Sequence, residues 1–130
     1  MESNLKNNIK ILMVEDDELN IRMVSSFIRD KYDLDSATSG DEALKKSLDN
    51  QYDIFLMDIG LKKELTGLDV TNKLRKMSKY KDTPIIALTA YALSGDKQRI
   101  IRAGCSHYLS KPFSKHQLFQ MLENVLHPKD

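Results

Sequence analysis

Short apolar runs alternate along the chain with segments of helical periodicity. The apolar runs are typical of strands buried on both faces, and they lie at 10–14, 34–37, 53–58, 84–88 and 107–110. The segments after them predict amphipathic helices at 18–30, 40–50, 66–78, 94–103 and 114–126. Parallel strands need helical crossovers, so this order predicts an α/β fold with a doubly wound, five-stranded parallel sheet.

Capping signals mark most of the predicted helix ends. Three of them are capping boxes, at Ser39–Glu42, Thr66–Asp69 and Ser114–Gln117. Ser94 is the predicted N-cap of the fourth helix, and Gly104 is predicted to end it in a left-handed conformation.

The apolar face of the first helix follows from spacing alone. Its predicted core residues are Leu19, Met23, Phe27 and Ile28. Arg22 and Arg29 are predicted to point outward.

Length and charge narrow the range of functions. The chain has 130 residues, with 20 Lys and Arg against 19 Asp and Glu, so no global field favours nucleic acid or an anionic membrane. No apolar run approaches the ~20 residues of a membrane span, and the single cysteine, Cys105, fits a reducing, cytoplasmic compartment. We expect a flexible segment at 1–8, one domain at 9–127 and a tail at 128–130.

Polar side chains follow the predicted strands where each strand ends. Glu15, Asp16 and Asp17 follow the first, Asp58 ends the third, Thr89 the fourth and Lys111 the fifth. Ligands of doubly wound sheets bind at these carboxyl ends, so the side chains are expected to converge. Clustered carboxylates repel one another, and Mg²⁺ relieves the repulsion with oxygen ligands. A cation, a hydroxyl and a nucleophilic carboxylate beside a metal predict phosphoryl transfer.

Several motifs in this order resemble one known family. They are VEDDELN (14–20), LMDIG (56–60), ALTAY (87–91), AGC (103–105), Tyr108 and KPF (111–113). Together they resemble the receiver domain of two-component response regulators, in the style of single-domain cell-cycle regulators and of receivers in hybrid histidine kinases. The resemblance implies a flavodoxin-like (βα)5 receiver fold.

The resemblance also implies a role for each site residue. Asp58 would accept a phosphoryl group from a phosphohistidine, and Mg²⁺ would be held by Glu15, Asp16, Asp58 and the carbonyl of Gly60. Thr89 and Lys111 would contact the phosphoryl group, and Tyr108 would report it by changing rotamer. The Lys111–Pro112 peptide would be cis. Asp17 would not bind the metal itself and would at most contact the residues that do.

Partners and activity follow from the same resemblance. The phosphoryl donor would be a histidine kinase or a histidine phosphotransfer protein, and output would go to a downstream protein target, with no nucleic acid and no membrane contact of the chain's own. The chain would be a signalling domain rather than an enzyme, catalysing only its own phosphorylation and dephosphorylation.

One segment departs from the family pattern. Relatives usually carry a proline four residues after the acceptor, where this chain has Lys62, and a glycine eight after it, whereas Gly67 lies nine after Asp58. The loop at 60–66 is therefore expected to be one residue longer.

Other interpretations stay open from the sequence. A Mg²⁺-dependent phosphatase would also use an aspartyl nucleophile, although no second aspartate stands two residues after Asp58. A nucleotide-binding module is another alternative, although the glycine-rich loop that such a module needs does not follow the first predicted strand. A receiver that serves only as a scaffold is a third alternative. Tyr108 could be a packing residue, and Cys105 is expected to be a small core residue.

Overall fold

The computed structural model describes residues 8–62, 64–90 and 96–128. Strands and helices alternate along the chain: β1 Lys10–Val14, α1 Glu18–Ile28, β2 Asp33–Ala37, α2 Gly40–Asp49, β3 Ile54–Asp58, α3 Gly67–Arg75, β4 Ile85–Thr89, α4 Asp96–Ala103, β5 His107–Ser110 and α5 Lys115–Leu126. The strands form one sheet in the order β2-β1-β3-β4-β5, and every neighbouring pair is parallel. The predicted fold class is therefore confirmed.

The sheet separates two apolar cores. Alternate residues of β1 point to opposite faces, so Ile11 and Met13 join one core while Leu12 and Val14 join the other. Helices α1 and α5 cover the first face, and α2, α3 and α4 cover the second. Burial on both faces explains why β1, β3 and β4 are almost continuously apolar.

The capping predictions hold at two helices and change at a third. Thr66 with Asp69 and Ser114 with Gln117 form reciprocal capping boxes. At α2, Ser39 accepts from the Glu42 backbone, but the Glu42 carboxylate accepts from Thr38 N–H instead of completing the box. Gly104 has the predicted positive φ, +116°. Ser94 lies outside the described residues.

The predicted apolar face of α1 is partly wrong. Val24 and Ile28 are its buried residues, whereas Leu19 is 71% exposed and Met23 37% exposed. Helical spacing identifies residues that share a stripe, but the packing angle of the helix decides which stripe faces the sheet. Arg22 and Arg29 are exposed as predicted.

Two helices end earlier than predicted. α1 stops at Ile28 rather than near residue 30, and α3 stops at Arg75 rather than near 78. A short 3-10 helix at Ser78–Tyr80 follows, and the hydroxyl of buried Tyr80 lies within hydrogen-bonding distance of the carbonyl oxygens of Ser47 and Asn50. Within the described ranges no helix combines the length and apolar character needed to cross a membrane.

Candidate functional site

The carboxyl ends of the strands bring the predicted polar residues to one cleft. Asp58 ends β3 and Thr89 ends β4, while Glu15 follows β1 and Lys111 follows β5. Because all the strands are parallel, these ends share one edge of the sheet. The cleft has a volume of about 660 Å³, and all four residues line it together with Asp16, Asp17 and Gly60.

Asp58 lies at the bottom of the cleft with two donors on one oxygen. It is 4% exposed, and its Oδ1 accepts from Lys111 Nζ and from the Gly60 backbone N–H, each at 2.9 Å. Gly67 lies against the backbone of Asp58. A Cβ at Gly67 would lie 2.2 Å from the carbonyl oxygen of Asp58, so only glycine fits at this position. The start of α3 therefore packs directly against the backbone at the end of β3.

Glu15 is a second buried carboxylate in contact with the same lysine. It is 1% exposed, and Lys111 Nζ lies 3.6 Å from its Oε1. The backbone N–H of Asp17 and the side-chain amide of Asn20 also donate to it. Burial, followed by the negative charge of Asp58, raises the pKa of Glu15 to about 7.

Lys111 compensates the two carboxylates only in part. Burial alone would lower the pKa of Lys111, but its hydrogen bond to Asp58 and the charges of Asp58 and Glu15 raise it instead. Lys111 therefore stays charged at neutral pH and provides a cation beside Asp58. The Lys111–Pro112 peptide is cis, as the resemblance implies.

A third acid completes a potential metal site. Glu15, Asp16 and Asp58 each offer a carboxylate oxygen, and these oxygens lie within 4.8 Å of one another. Oxygen donors in this number suit a hard divalent cation such as Mg²⁺. Burial and the negative charge of Asp58 both disfavour the ionised form of Glu15, and a bound cation would offset both, so the three carboxylates fit the metal.

Thr89 ends β4 and Tyr108 lies in β5, and of the two only Thr89 lines the cleft. Thr89 lines the cleft and is 2% exposed. Tyr108 pairs with Ala87 in the sheet and is half-buried, with Lys97 Nζ of α4 5.6 Å from its ring centroid. Asp17 lines the cleft, and its side chain also caps α1 by accepting from Leu19 N–H.

The structure adds residues that the sequence did not single out for the site. Asn20 binds Glu15, Arg99 of α4 lines the cleft, and the backbone N–H of Lys62 donates to Asp16 Oδ2 at 3.2 Å. The altered loop at 60–66 was a signal for Lys62, although it did not indicate a contact with Asp16. Cys105 is buried against Thr71, which confirms its predicted core position.

Comparisons with known proteins agree with this geometry. The family described as "Response regulator receiver domain" matches residues 11–123. The polar-differentiation response regulator DivK of Brucella ovis is 37% identical over 117 residues, which cover 89% of this chain and 94% of that protein. The chain thus corresponds to nearly the full length of this relative.

Two solved structures are similar in fold and in sequence. The chemotaxis protein CheY4 of Vibrio cholerae has a TM-score of 0.86 and 32% identity, covering 92% of this chain and 99% of that one. The receiver domain of a Pseudomonas aeruginosa sensor histidine kinase, with a magnesium ion coordinated in its active-site cleft, has a TM-score of 0.84 and 33% identity over 92% and 98%. The chain therefore belongs to the response regulator receiver domain family, the phosphoaccepting signalling domains of two-component systems.

Proposed function

We propose that this chain accepts a phosphoryl group on Asp58 from a phosphohistidine of a histidine kinase or phosphotransfer protein, with Mg²⁺ as cofactor. The observation that carries the proposal is the cleft itself, where the buried carboxylate of Asp58 contacts Lys111 and lies beside Glu15 and Asp16. A cytoplasmic location belongs to the same proposal.

The chain's residues would divide the work of the transfer. The phosphorus–nitrogen bond of the donor would break, its electron pair would stay on the imidazole, and a new bond would form to a carboxylate oxygen of Asp58. Lys111 would hold the acceptor through Oδ1 and then bind a phosphoryl oxygen. The Thr89 hydroxyl would donate a hydrogen bond to a second phosphoryl oxygen. Mg²⁺, held by Glu15, Asp16, Asp58 and the Gly60 carbonyl, would neutralise charge on the phosphoryl oxygens.

Signalling would follow from a shift between two states. Phosphorylation would favour the state in which Thr89 and Tyr108 move inward, and the surface formed by α4, β5 and α5 would change. Moving the Tyr108 ring would separate it from Lys97, whose ammonium lies over it. Output would then be contact with a downstream protein or onward phosphotransfer.

Intact-mass spectrometry with acetyl phosphate tests the proposal. With Mg²⁺ the wild-type chain should gain about 80 Da, the mass of one phosphoryl group on a covalent intermediate. Asp58→Asn should gain none. Asp53→Asn is the matched control, because Asp53 is an exposed aspartate just before β3 and should leave labelling unchanged.

Three outcomes would contradict the proposal. Equal labelling of Asp58→Asn would move the acceptor elsewhere, and undiminished labelling in EDTA would remove the metal. Steady turnover of a small phosphoester would instead favour the phosphatase alternative.

A further inference from the structure

The loop between β3 and α3 is tied to the β1–α1 turn by its backbone. The N–H of Lys62 donates to Oδ2 of Asp16 at 3.2 Å, joining two segments that are 46 residues apart. The neighbouring Leu61 is only 4% exposed and belongs to the core beneath α3, so the loop is anchored where it reaches Asp16.

Each of the three clustered carboxylates has its own protein donor. Asp58 is oriented by Lys111 and Gly60, and Glu15 by Asp17 N–H and Asn20. Asp16 is the most exposed of the three acids, and its donor is the Lys62 amide. Donors that orient ligand side chains typically change metal affinity by 10- to 100-fold.

An aspartate can bind a backbone N–H and a cation at the same time, because each of its two carboxylate oxygens can take a different partner. Oδ2 of Asp16 holds the Lys62 N–H, which leaves Oδ1 for a cation. We propose that Lys62 is a positioning residue for the cation site and acts through its backbone N–H. This inference rests on the proposed function, since it assumes that the acidic cluster binds Mg²⁺.

The side chain of Lys62 is expected to weaken Mg²⁺ binding, whereas its backbone N–H is expected to favour it. The two effects on metal affinity must therefore be measured separately. Lys62 lines the cleft, and its ammonium would repel a divalent cation. Lys62→Ala removes the ammonium and keeps the N–H. Lys62→Pro removes both, because proline has no backbone N–H. The comparison between the two variants therefore isolates the amide.

Isothermal titration with MgCl₂ measures the effect on metal affinity. Lys62→Ala should bind Mg²⁺ at least as tightly as wild type, and Lys62→Pro should bind about tenfold more weakly than Lys62→Ala. Urea unfolding of both variants without Mg²⁺ serves as the folding control, because a merely structural loop residue would change stability and leave the affinity ratio near one.

Amide hydrogen exchange tests the hydrogen bond without any substitution at Lys62. In metal-free protein, Asp16→Ala should speed exchange of the Lys62 amide several-fold. The Thr66 amide is the matched control: it also donates to a carboxylate, that of Asp69, near the other end of the same loop, and its exchange should not change.

The possible failures point to different steps. If Lys62→Pro and Lys62→Ala bind Mg²⁺ equally, or if Asp16→Ala leaves Lys62 exchange unchanged, the positioning role is wrong. If Lys62→Pro does not fold, the exchange measurement decides. If wild type binds no Mg²⁺ while the Lys62 amide is protected by Asp16, the proposed function fails and the hydrogen bond remains as a purely structural contact.

Discussion

Two carboxylates, Glu15 directly after β1 and Asp35 in β2, lie in opposite electrostatic surroundings. Asp35 of β2 accepts from Tyr52 Oη at 2.7 Å, from Lys46 Nζ at 3.2 Å and from Ser36 N–H at 2.8 Å. Glu15 is more deeply buried, shares Lys111 with Asp58 and receives weaker hydrogen bonds. The donors to Asp35 outweigh its burial, whereas those to Glu15 do not offset its deeper burial and the negative charge of Asp58.

The two pKa values shift in opposite directions as a result. Burial would raise the pKa of Asp35, but the bonds from Tyr52, Lys46 and Ser36 outweigh it and lower the pKa. Burial and the charge of Asp58 raise the pKa of Glu15 to about 7. A compensated acid supports the fold, whereas an uncompensated pair costs stability and is retained where a site needs it.

The largest expected effect comes from removing the shared cation of the cleft. Lys111→Ala should lower the free energy of unfolding by about 3 kcal/mol at pH 8 without Mg²⁺, because it leaves two buried carboxylates without their cation. Lys46→Ala, the matched change beside Asp35, should cost about 1 kcal/mol or less, because that ion pair is more exposed.

Urea denaturation of both variants measures this difference. Equal losses would mean that the two acids are equally compensated, and the comparison would be wrong. The Lys111→Ala loss should also shrink at pH 5, where Glu15 takes up a proton.

The pH dependence of stability gives the second test, and its sign differs between the two acids. A folded-state pKa near 7, above the usual 4.5, means that the folded state holds the Glu15 proton more tightly than the unfolded state. Its contribution to stability is full below about pH 4.5 and is lost as the pH rises through 7. The lowered pKa of Asp35 acts in reverse, and its contribution is lost on acidification below 3.8.

Glu15→Gln should therefore flatten the fall in stability between pH 5 and 8. At pH 8 without metal it should stabilise the chain on the order of 2 kcal/mol. Saturating Mg²⁺ should have a similar flattening effect on wild type and little effect on the variant. A wild-type curve that rises from pH 5 to 8 would contradict the raised pKa of Glu15.

The smallest expected effect concerns the hydroxyl that bonds to Asp35. Tyr52→Phe should cost about 1 kcal/mol, because it removes one hydrogen bond to an acceptor that is partly exposed to solvent. The pKa of Asp35 should rise, which carboxyl NMR titration measures. Tyr32→Phe, which removes the equivalent bond to Glu123, should leave Asp35 unchanged. An unmoved Asp35 pKa in Tyr52→Phe would show that Lys46 and the Ser36 N–H lower it without the hydroxyl.

The strands, and the position of the acids at their carboxyl ends, could be predicted because both depend on local sequence. Residues buried on both faces of a sheet form continuous apolar runs, and parallel strands bring their carboxyl ends to one edge, so the convergence of Asp58 and Lys111 in one cleft followed from topology. The exposure of Leu19 and Met23 could not be predicted, since it depends on how α1 packs against the sheet.

The sequence by itself determined the alternating strands and helices, the parallel sheet and the identity of the acids, the threonine and the lysine at its edge. Only the tertiary structure decided how the charges compensate one another: that Glu15 shares Lys111 with Asp58, that Asp35 has three donors and that the Lys62 amide reaches Asp16. The reason is that a pKa depends on distances and burial between residues far apart in the chain, and periodicity carries no information about those distances.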